Sequence, residues 1–150
     1  MLDVLRKSKE VNDYVIKVRR HLHENPELSM EEFKTIEFVT EQLTSMNIPY
    51  ETVANGGIIG KIEGAKQGKT LILRADLDGL PMQEATTNLT KEKVVVSKVD
   101  GIAHTCGHDA HTAMLLGASK ILAKHRDSLT GTVLVVFEQG EEIGGGIINL

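Results

Sequence analysis

The chain has 150 residues, of which 41% are hydrophobic and 25% are charged, and its net charge at pH 7 is −4. These values are typical of one globular domain and exclude a disordered or fibrous protein. Aromatic residues make up 3% and the basic residues are scattered, which argues against a nucleic-acid-binding surface. No apolar run approaches the roughly 18 residues of a membrane span, so we expect none.

Both ends of the chain and its single cysteine bear on location and completeness. The N-terminus mixes charges of both signs and lacks the apolar core of a signal peptide. One cysteine, Cys106, cannot form an internal disulfide, so we expect a reducing, cytoplasmic location. After Glu142 the chain runs through an apolar, glycine-rich segment to Leu150. We interpret this ending as a chain cut short.

The first predicted element is an amphipathic helix that ends near Glu24, where Asn25-Pro26 breaks the pattern. Its apolar positions recur at helical spacing: Val11, Tyr14, Val15, Val18 and Leu22. His21 and His23, near this break, are compatible with more than one role, and we favour the interpretation that both decorate the C-terminal end of the helix.

A second helix is predicted to begin at a capping box of Ser29 and Glu32, with Leu28 packed on Phe33, and to stop before Pro49. Its predicted buried stripe is Phe33, Ile36, Val39, Leu43 and Met46.

Short β-prone runs follow at Tyr50–Val53, 58–62 and 70–75, separated by glycine-containing turns. Residues 83–100 are polar and predict a loop or an edge strand. Residues 112–125 show helical spacing again, with His125 expected at the surface, and 132–137 is the continuous apolar run of a strand covered on both faces. This order predicts an α/β layered domain with a mixed, partly parallel sheet flanked by helices.

The densest group of reactive side chains lies in residues 104–111, with the sequence HTCGHDAH. Cys106 and His108 are two residues apart, so in an extended segment they point the same way and can share an ion. Thiolate and imidazole are suitable ligands for zinc or another transition metal. One alternative is a solvated histidine-rich turn with Asp109 as the N-cap of the next helix. Another is a cysteine hydrolase that uses Cys106 with a neighbouring histidine.

Two acidic pairs follow predicted strands. Glu141 and Glu142 come after the run 132–137, and Asp76 and Asp78 come after 70–75. Open α/β sheets bind ligands at the carboxyl ends of their strands. One glutamate can therefore bind a metal while the other takes a proton from water. The Asp-x-Asp pair can bind a cation or fix the tautomer of a ligand histidine. Taken alone, the glutamate pair would favour two surface residues on a turn, and the Asp-x-Asp pair would be weak evidence for a site.

The order and spacing of these motifs resemble the M20 metallopeptidases, in particular the N-acyl-amino-acid amidohydrolases such as hippurate, aminobenzoyl-glutamate and auxin-conjugate hydrolases. The motifs that carry the resemblance are residues 19–28 (RRHLHENPEL), 74–81 (RADLDGLP), 104–111 and 137–146 (FEQGEEIGGG).

By this resemblance, Cys106, His108 and Glu142 correspond to metal ligands, Glu141 to the general base, and Asp78 to the aspartate that orients a metal-binding group. In related branches a histidine ligand stands at the position of Asp76, so the role of Asp76 is left open.

The resemblance further implies hydrolysis of an N-acyl-amino acid or a related amide with two divalent ions, zinc or manganese. It places two more histidine ligands, a lid and the dimerisation domain of a homodimeric enzyme beyond Leu150. Residues 1–150 would then be the N-terminal part of the catalytic domain, and we expect negligible amidase activity from this chain alone. The alternative is a non-catalytic metal-binding module or a degenerate gene product.

Two stretches depart from the family pattern. Gln139-Gly140 stands where Pro-Ala is usual, and residues 84–98 lack the usual tyrosine-containing sequence. Because of the second departure, the sequence does not predict how that side of the substrate cleft is formed.

Overall fold

The structure is a computed structural model that describes residues 3–150. Within this range the chain forms four α-helices and six β-strands: α1 (Val4–Glu10), α2 (Asn12–Glu24), α3 (Phe33–Ser45), β1 (Tyr50–Val53), β2 (Gly57–Glu63), β3 (Lys66–Asp76), β4 (Thr87–Asn88), β5 (Lys91–Glu92), α4 (His108–Lys124) and β6 (Thr130–Glu138). Short 3₁₀ turns cover Arg126–Ser128 and Glu141–Ile143. None of the helices in this range is long and apolar enough to cross a membrane.

The main sheet has the strand order β1-β2-β6-β3. β2 pairs antiparallel with β1 and with β6, whereas β3 pairs parallel with β6. The prediction of a mixed, partly parallel sheet flanked by helices is thereby confirmed. Residues 83–100, predicted as a loop or an edge strand, contain only the small β4–β5 hairpin, which forms a separate two-stranded sheet.

The core lies between the sheet and the helices. Val133, Val135 and Phe137 alternate along β6 and pack in one cluster with Leu43 of α3 and Leu116 of α4. Burial of a side chain of this size contributes about 1.5–3 kcal/mol. The central position of β6 explains why its sequence is almost continuously apolar.

The start of α3 differs from the prediction. The helix begins at Phe33, and the carboxylate of Glu27 caps it by accepting from the backbone N–H of Lys34 (3.1 Å) and of Thr35 (2.8 Å). Phe33 is 71% exposed, so the packing of Leu28 on Phe33 is wrong and Thr35 takes the place of Phe33 on the buried face. A carboxylate nearby in sequence is a stronger acceptor than the predicted serine hydroxyl.

Ser29 and Glu32 therefore do not form a capping box. The hydroxyl of Ser29 donates to Asp78 Oδ2 at 2.6 Å. Glu32 is fully buried and accepts from the backbone N–H of Gly140 at 2.7 Å and from the Gln139 side chain at 3.0 Å. Both residues hold segments of the candidate site rather than the end of a helix.

The two ends of α4 also correct the prediction. The helix begins at His108 instead of residue 112, because Gly107 adopts a positive φ of 113° that turns the chain into the helix. At the other end His125 is half-buried, and its Nε2 is buried without a partner among residues 3–150, so the prediction of a surface histidine is wrong.

Candidate metal centre

Three chain segments meet beyond the carboxyl ends of the parallel strands. Asp76 ends β3 and is in register with Glu138 at the end of β6. The first turn of α4 lies against them, because the Thr112 hydroxyl donates to the backbone carbonyl of Asp76 at 2.7 Å. The acidic turns that follow both strands and the motif at the start of α4 are thus brought to one place, as ligand sites of open α/β sheets are.

Cys106, His108 and Glu142 come together at this edge. Each offers one ligand atom, and these atoms all lie within 4.8 Å of one another. Cys106 is exposed, His108 is buried and Glu142 is half-buried. Within residues 3–150, Glu142 Oε1 is buried and has no hydrogen-bond partner. A sulfur, a nitrogen and an unpaired buried oxygen at this spacing fit a divalent metal ion such as zinc.

Asp78 fixes the orientation of the His108 ring. His108 Nδ1 lies 2.9 Å from the backbone oxygen of Asp78 and 3.1 Å from its Oδ1. Both partners are acceptors, so Nδ1 carries the proton and donates. The other ring nitrogen, Nε2, then points to the centre, which is the arrangement found in ligand histidines.

The Asp78 carboxylate also holds the neighbouring turns. Its Oδ2 accepts from the Ser29 hydroxyl at 2.6 Å and from the backbone N–H of Glu142 at 3.0 Å. Burial raises the pKa of Asp78, but the hydrogen bonds from His108, Ser29 and Glu142 outweigh burial and lower it to about 2. Asp78 is therefore ionised and links the β3 turn to the turn that carries the two glutamates.

Carboxylates surround the free nitrogen of His108. Nε2 lies 3.6 Å from Glu141 Oε2, 3.7 Å from Glu142 Oε1 and 3.7 Å from Asp76 Oδ1. Burial lowers the pKa of His108, but the hydrogen bond to Asp78 and the charges of Asp76 and Glu142 raise it to about 9. Such a concentration of negative charge stabilises a cation, either a proton on Nε2 or a metal ion in its place.

Cys106 is a protonated thiol in this environment. Local desolvation and the carboxylates of Glu142 and Glu141 raise its pKa above the ordinary value. A thiolate forms only when a positive charge compensates these carboxylates, and a bound metal ion supplies such a charge.

Glu141 lies at the open side of the cluster, beside Arg74. The Arg74 side chain pairs with Glu138, lies 3.5 Å from Asp76 Oδ2 and approaches Glu141 Oε1 to 4.0 Å. Glu141 belongs to the turn that starts after Gly140, whose φ is 61°. This turn gives the two glutamates different surroundings, because Glu142 faces the interior and Glu141 stays accessible.

Asp76 forms a second group with histidines of α4. Its Oδ1 lies 2.7 Å from Nδ1 of the half-exposed His111, and one ligand atom each from Asp76, His108 and His111 lie within 4.8 Å of one another. Both groups use His108, whose Nδ1 is engaged by Asp78. The two groups therefore belong to one centre, and Asp76 lies at its border.

A buried polar cluster behind the centre was not predicted. His23 is 5% exposed, and its Nδ1 lies 2.8 Å from Asp109 Oδ2 while its Nε2 lies 2.9 Å from Glu84 Oε1. Arg19 Nε reaches the same oxygen of Asp109 at 2.8 Å. The prediction that His23 decorates a helix end is therefore wrong, and in the alternative of a histidine-rich turn Asp109 does not act as the N-cap, which is Gly107. His21, in contrast, is exposed and stacks on Phe38.

All five site residues expected from the sequence lie in this one region: Asp78, Cys106, His108, Glu141 and Glu142. The residues missed by sequence reasoning are Ser29, Glu32 and the His23 cluster. One signal in the sequence could have indicated a role for His23. The residue lies in the segment 19–28, which is one of the four motifs that carry the family resemblance.

Known proteins are similar to this chain over most of its length. Thermostable carboxypeptidase 2 of Saccharolobus solfataricus is 44% identical over 139 residues, which cover 91% of this chain and 34% of that protein. An N-acyl-L-amino acid amidohydrolase of Geobacillus stearothermophilus is 39% identical over 145 residues, with coverages of 96% and 38%. The chain spans about a third of the length of these relatives.

A solved structure and a family model give the same result. The Bacillus subtilis YXEP protein, described as a dinuclear metal binding peptidase from the M20 family, superposes with a TM-score of 0.85 at 38% identity, over 94% of this chain and 38% of that one. The model of peptidase family M20/M25/M40 matches residues 72–150, more than half of the chain and both acidic turns. The chain belongs to peptidase family M20/M25/M40, a family of metal-dependent hydrolases.

Proposed function

We propose that this chain provides the metal site and the general base of an amidohydrolase that cleaves N-acyl-amino acids or related amides. The observation that carries the proposal is the convergence of Cys106, His108 and Glu142 within 4.8 Å, with Glu141 beside them. Relatives named for the hydrolysis of N-acyl-L-amino acids and of amino-acid conjugates support this substrate class.

In this proposal Cys106, His108 and Glu142 are metal ligands, and two divalent ions, zinc or manganese, occupy the centre. The dinuclear character of the Bacillus subtilis structure supports the number of ions. When bound, the metal would polarise the amide carbonyl and favour deprotonation of the attacking water.

The remaining steps belong to side chains of this chain. Glu141 is the accessible carboxylate, and its Oε2 would accept the proton of the water and return it to the leaving amine. Arg74 limits the positions that Glu141 can adopt, since it lies 4.0 Å from Oε1. Asp78 keeps the proton of His108 on Nδ1 and so keeps Nε2 available as a ligand.

We further propose that the chain corresponds to the N-terminal part of the catalytic domain of its longer relatives. The matches with these relatives cover nearly all of this chain and about a third of theirs. Further histidine ligands, a lid and a dimerisation domain would then lie in the part of the relatives that this chain does not match. On this basis we expect negligible amidase activity from residues 1–150 alone.

The raised pKa of Cys106 weighs against the alternative of a cysteine hydrolase. A nucleophilic cysteine requires a thiolate stabilised by a neighbouring positive charge. Here the carboxylates of Glu142 and Glu141 disfavour the thiolate and raise the pKa of Cys106, although His108 also lies within 4.8 Å.

Cobalt titration of the purified chain tests the ligand set, because a thiolate bound to Co²⁺ gives an intense charge-transfer absorption. We expect this absorption in the wild type and in Glu141→Gln, and its loss in Cys106→Ser. Glu142→Gln should bind cobalt much more weakly. Glu63→Gln, on the exposed surface of β2, is the matched control. Loss of cobalt binding in Glu141→Gln would instead make Glu141 a ligand and leave the reaction without its proposed base.

A second experiment tests the general base in a longer protein that contains this sequence. Glu141→Gln should abolish hydrolysis of an N-acyl-amino acid while the metal content stays unchanged. Full activity after treatment with a chelator would refute metal-dependent hydrolysis and favour a cysteine mechanism.

A further inference from the structure

A cavity of about 860 Å³ lies beside the candidate metal centre. Its walls are the C-terminal half of α2 and the segment that carries the β4–β5 hairpin, and His104 and Thr105 line it next to Cys106 in sequence. The metal ligands themselves do not line it. The hairpin belongs to the stretch that departs from the family sequence.

The cavity is lined by more positive than negative side chains. Arg19, Arg20, Lys91 and Lys93 line it, together with Glu84 and Glu92. Arg19 is paired with Asp109 and Lys93 with Glu84. Arg20 and Lys91 lie within ion-pair distance of no carboxylate in the part of the chain that the structure describes. These two cations remain available to an incoming anion.

The buried carboxylate at this site is already satisfied. Glu84 accepts from the Ser97 backbone N–H at 2.6 Å, from Lys93 at 2.9 Å and from His23 Nε2 at 2.9 Å. One of these three partners, Lys93, carries a positive charge that compensates the Glu84 carboxylate. Glu84 therefore contributes little repulsion to an anion in the cavity.

His104 supplies the second, independent observation. The ring is only 6% exposed, and neither Nδ1 nor Nε2 has a hydrogen-bond partner among residues 3–150. A buried polar atom without a partner costs about 1–3 kcal/mol, so such atoms are rare in native proteins and a bound ligand is one way to satisfy them. The ring lines the cavity, where its N–H can donate to a bound group.

We propose that this cavity is a subsite for a carboxylate, which accepts a hydrogen bond from His104 and is attracted by Arg20 and Lys91. Its identification as the place of a substrate carboxylate rests on the proposed function, since an N-acyl-amino acid carries one such group close to its amide. The binding of a carboxylate itself requires no metal.

The test uses the full chain, labelled with ¹⁵N-histidine and freed of metal with EDTA. Sodium benzoate is the probe, benzamide is the neutral probe of the same shape, and inorganic phosphate is the competing anion. We expect a saturable shift of the His104 ring resonances with benzoate, none with benzamide, and weaker binding of phosphate. No shift, or equal shifts with benzoate and benzamide or with benzoate and phosphate, would overturn the carboxylate subsite.

Substitutions of the residues that line the cavity test where benzoate binds. Arg20→Gln and Lys91→Gln should each weaken benzoate binding about two- to fivefold, as expected for exposed charges. His104→Phe should weaken it at least about tenfold, the effect of one hydrogen bond to a charged group. Lys17→Gln, an exposed cation on the same helix outside the cavity, is the matched control. Equal effects of Lys17→Gln and Arg20→Gln would overturn the location.

If His104→Phe does not fold, the surface substitutions Arg20→Gln and Lys91→Gln still test the subsite. The outcome is also separable from that of the cobalt titration, because benzoate binding is measured without metal. Failure of benzoate with intact cobalt binding refutes the subsite alone, and the opposite result refutes the proposed metal site alone.

Discussion

Asp109 offers the sharpest test of how the buried cluster stabilises the protein. Its carboxylate is 1% exposed and contacts two side chains, His23 Nδ1 at 2.8 Å and Arg19 Nε at 2.8 Å. The two distances are equal, but the surroundings differ. The His23 side chain is 6% exposed and that of Arg19 is 39% exposed.

This difference in exposure sets the expected energies. Asp109→Asn removes a buried carboxylate that is a hydrogen-bond partner of His23, which costs about 1–3 kcal/mol. Solvent screens the half-exposed Arg19, so its coupling to Asp109 should be at most about 1 kcal/mol. The coupling to His23 should be larger, about 1.5–3 kcal/mol.

Urea unfolding followed by circular dichroism, with double-mutant cycles, measures both couplings. The cycles combine Asp109→Asn with His23→Gln and with Arg19→Gln in metal-free buffer. A total cost of Asp109→Asn below about 1 kcal/mol, or equal couplings to His23 and Arg19, would refute the assignment of stability to the buried pair of Asp109 and His23. Asp127→Asn, on the turn after α4, is the control for a lost surface charge.

Three further predictions concern stability, pH and metal affinity. Gly131→Ala should cost more than about 2 kcal/mol in urea unfolding, because φ is 88° and a Cβ would lie 2.1 Å from a backbone oxygen. Gly101→Ala, with φ 72° and no atom within 4 Å, should cost only about 1 kcal/mol. Burial raises the pKa of Glu84, but hydrogen bonds from Lys93, Ser97 and His23 lower it from 4.5 to about 2. Glu84 therefore stabilises the fold above about pH 4.5, by up to about 3 kcal/mol, and this contribution is lost as pH falls towards 2. Thermal melts of Glu84→Gln should consequently depend less on pH in that window, and an unchanged pH dependence would count against the low pKa. Asp78→Asn should weaken zinc binding about 10–100-fold in a competition titration, since His108 loses its orienting carboxylate; unchanged affinity would remove that role.

Local sequence patterns predicted the elements and the residues that gather at the centre. Glu141 and Cys106 each stand next to the end or start of a regular element, and parallel strands bring such positions together. The prediction that residues of separate motifs share one site therefore needs only the order of the elements, and no knowledge of contacts between distant segments.

Contacts between distant segments were beyond sequence reasoning. His23 and Asp109 are separated by 86 positions, and Ser29 and Asp78 by 49. Each of these residues also has a plausible local role, as a helix-end histidine, an N-cap or part of a capping box. A local hydrogen bond and a distant one compete for the same side chain, and only the packed structure shows which is formed.

The central place of β6 in the sheet has a consequence for folding during synthesis. β6 joins β2 to β3, yet it is the last strand of the sheet to leave the ribosome, after residues 77–129. At about 5–20 residues per second, β2 and β3 spend several seconds with exposed, unpaired edges. Such edges invite pairing with other chains. We therefore expect nascent chains that stop before Thr130 to depend on chaperones far more than chains that include Glu138.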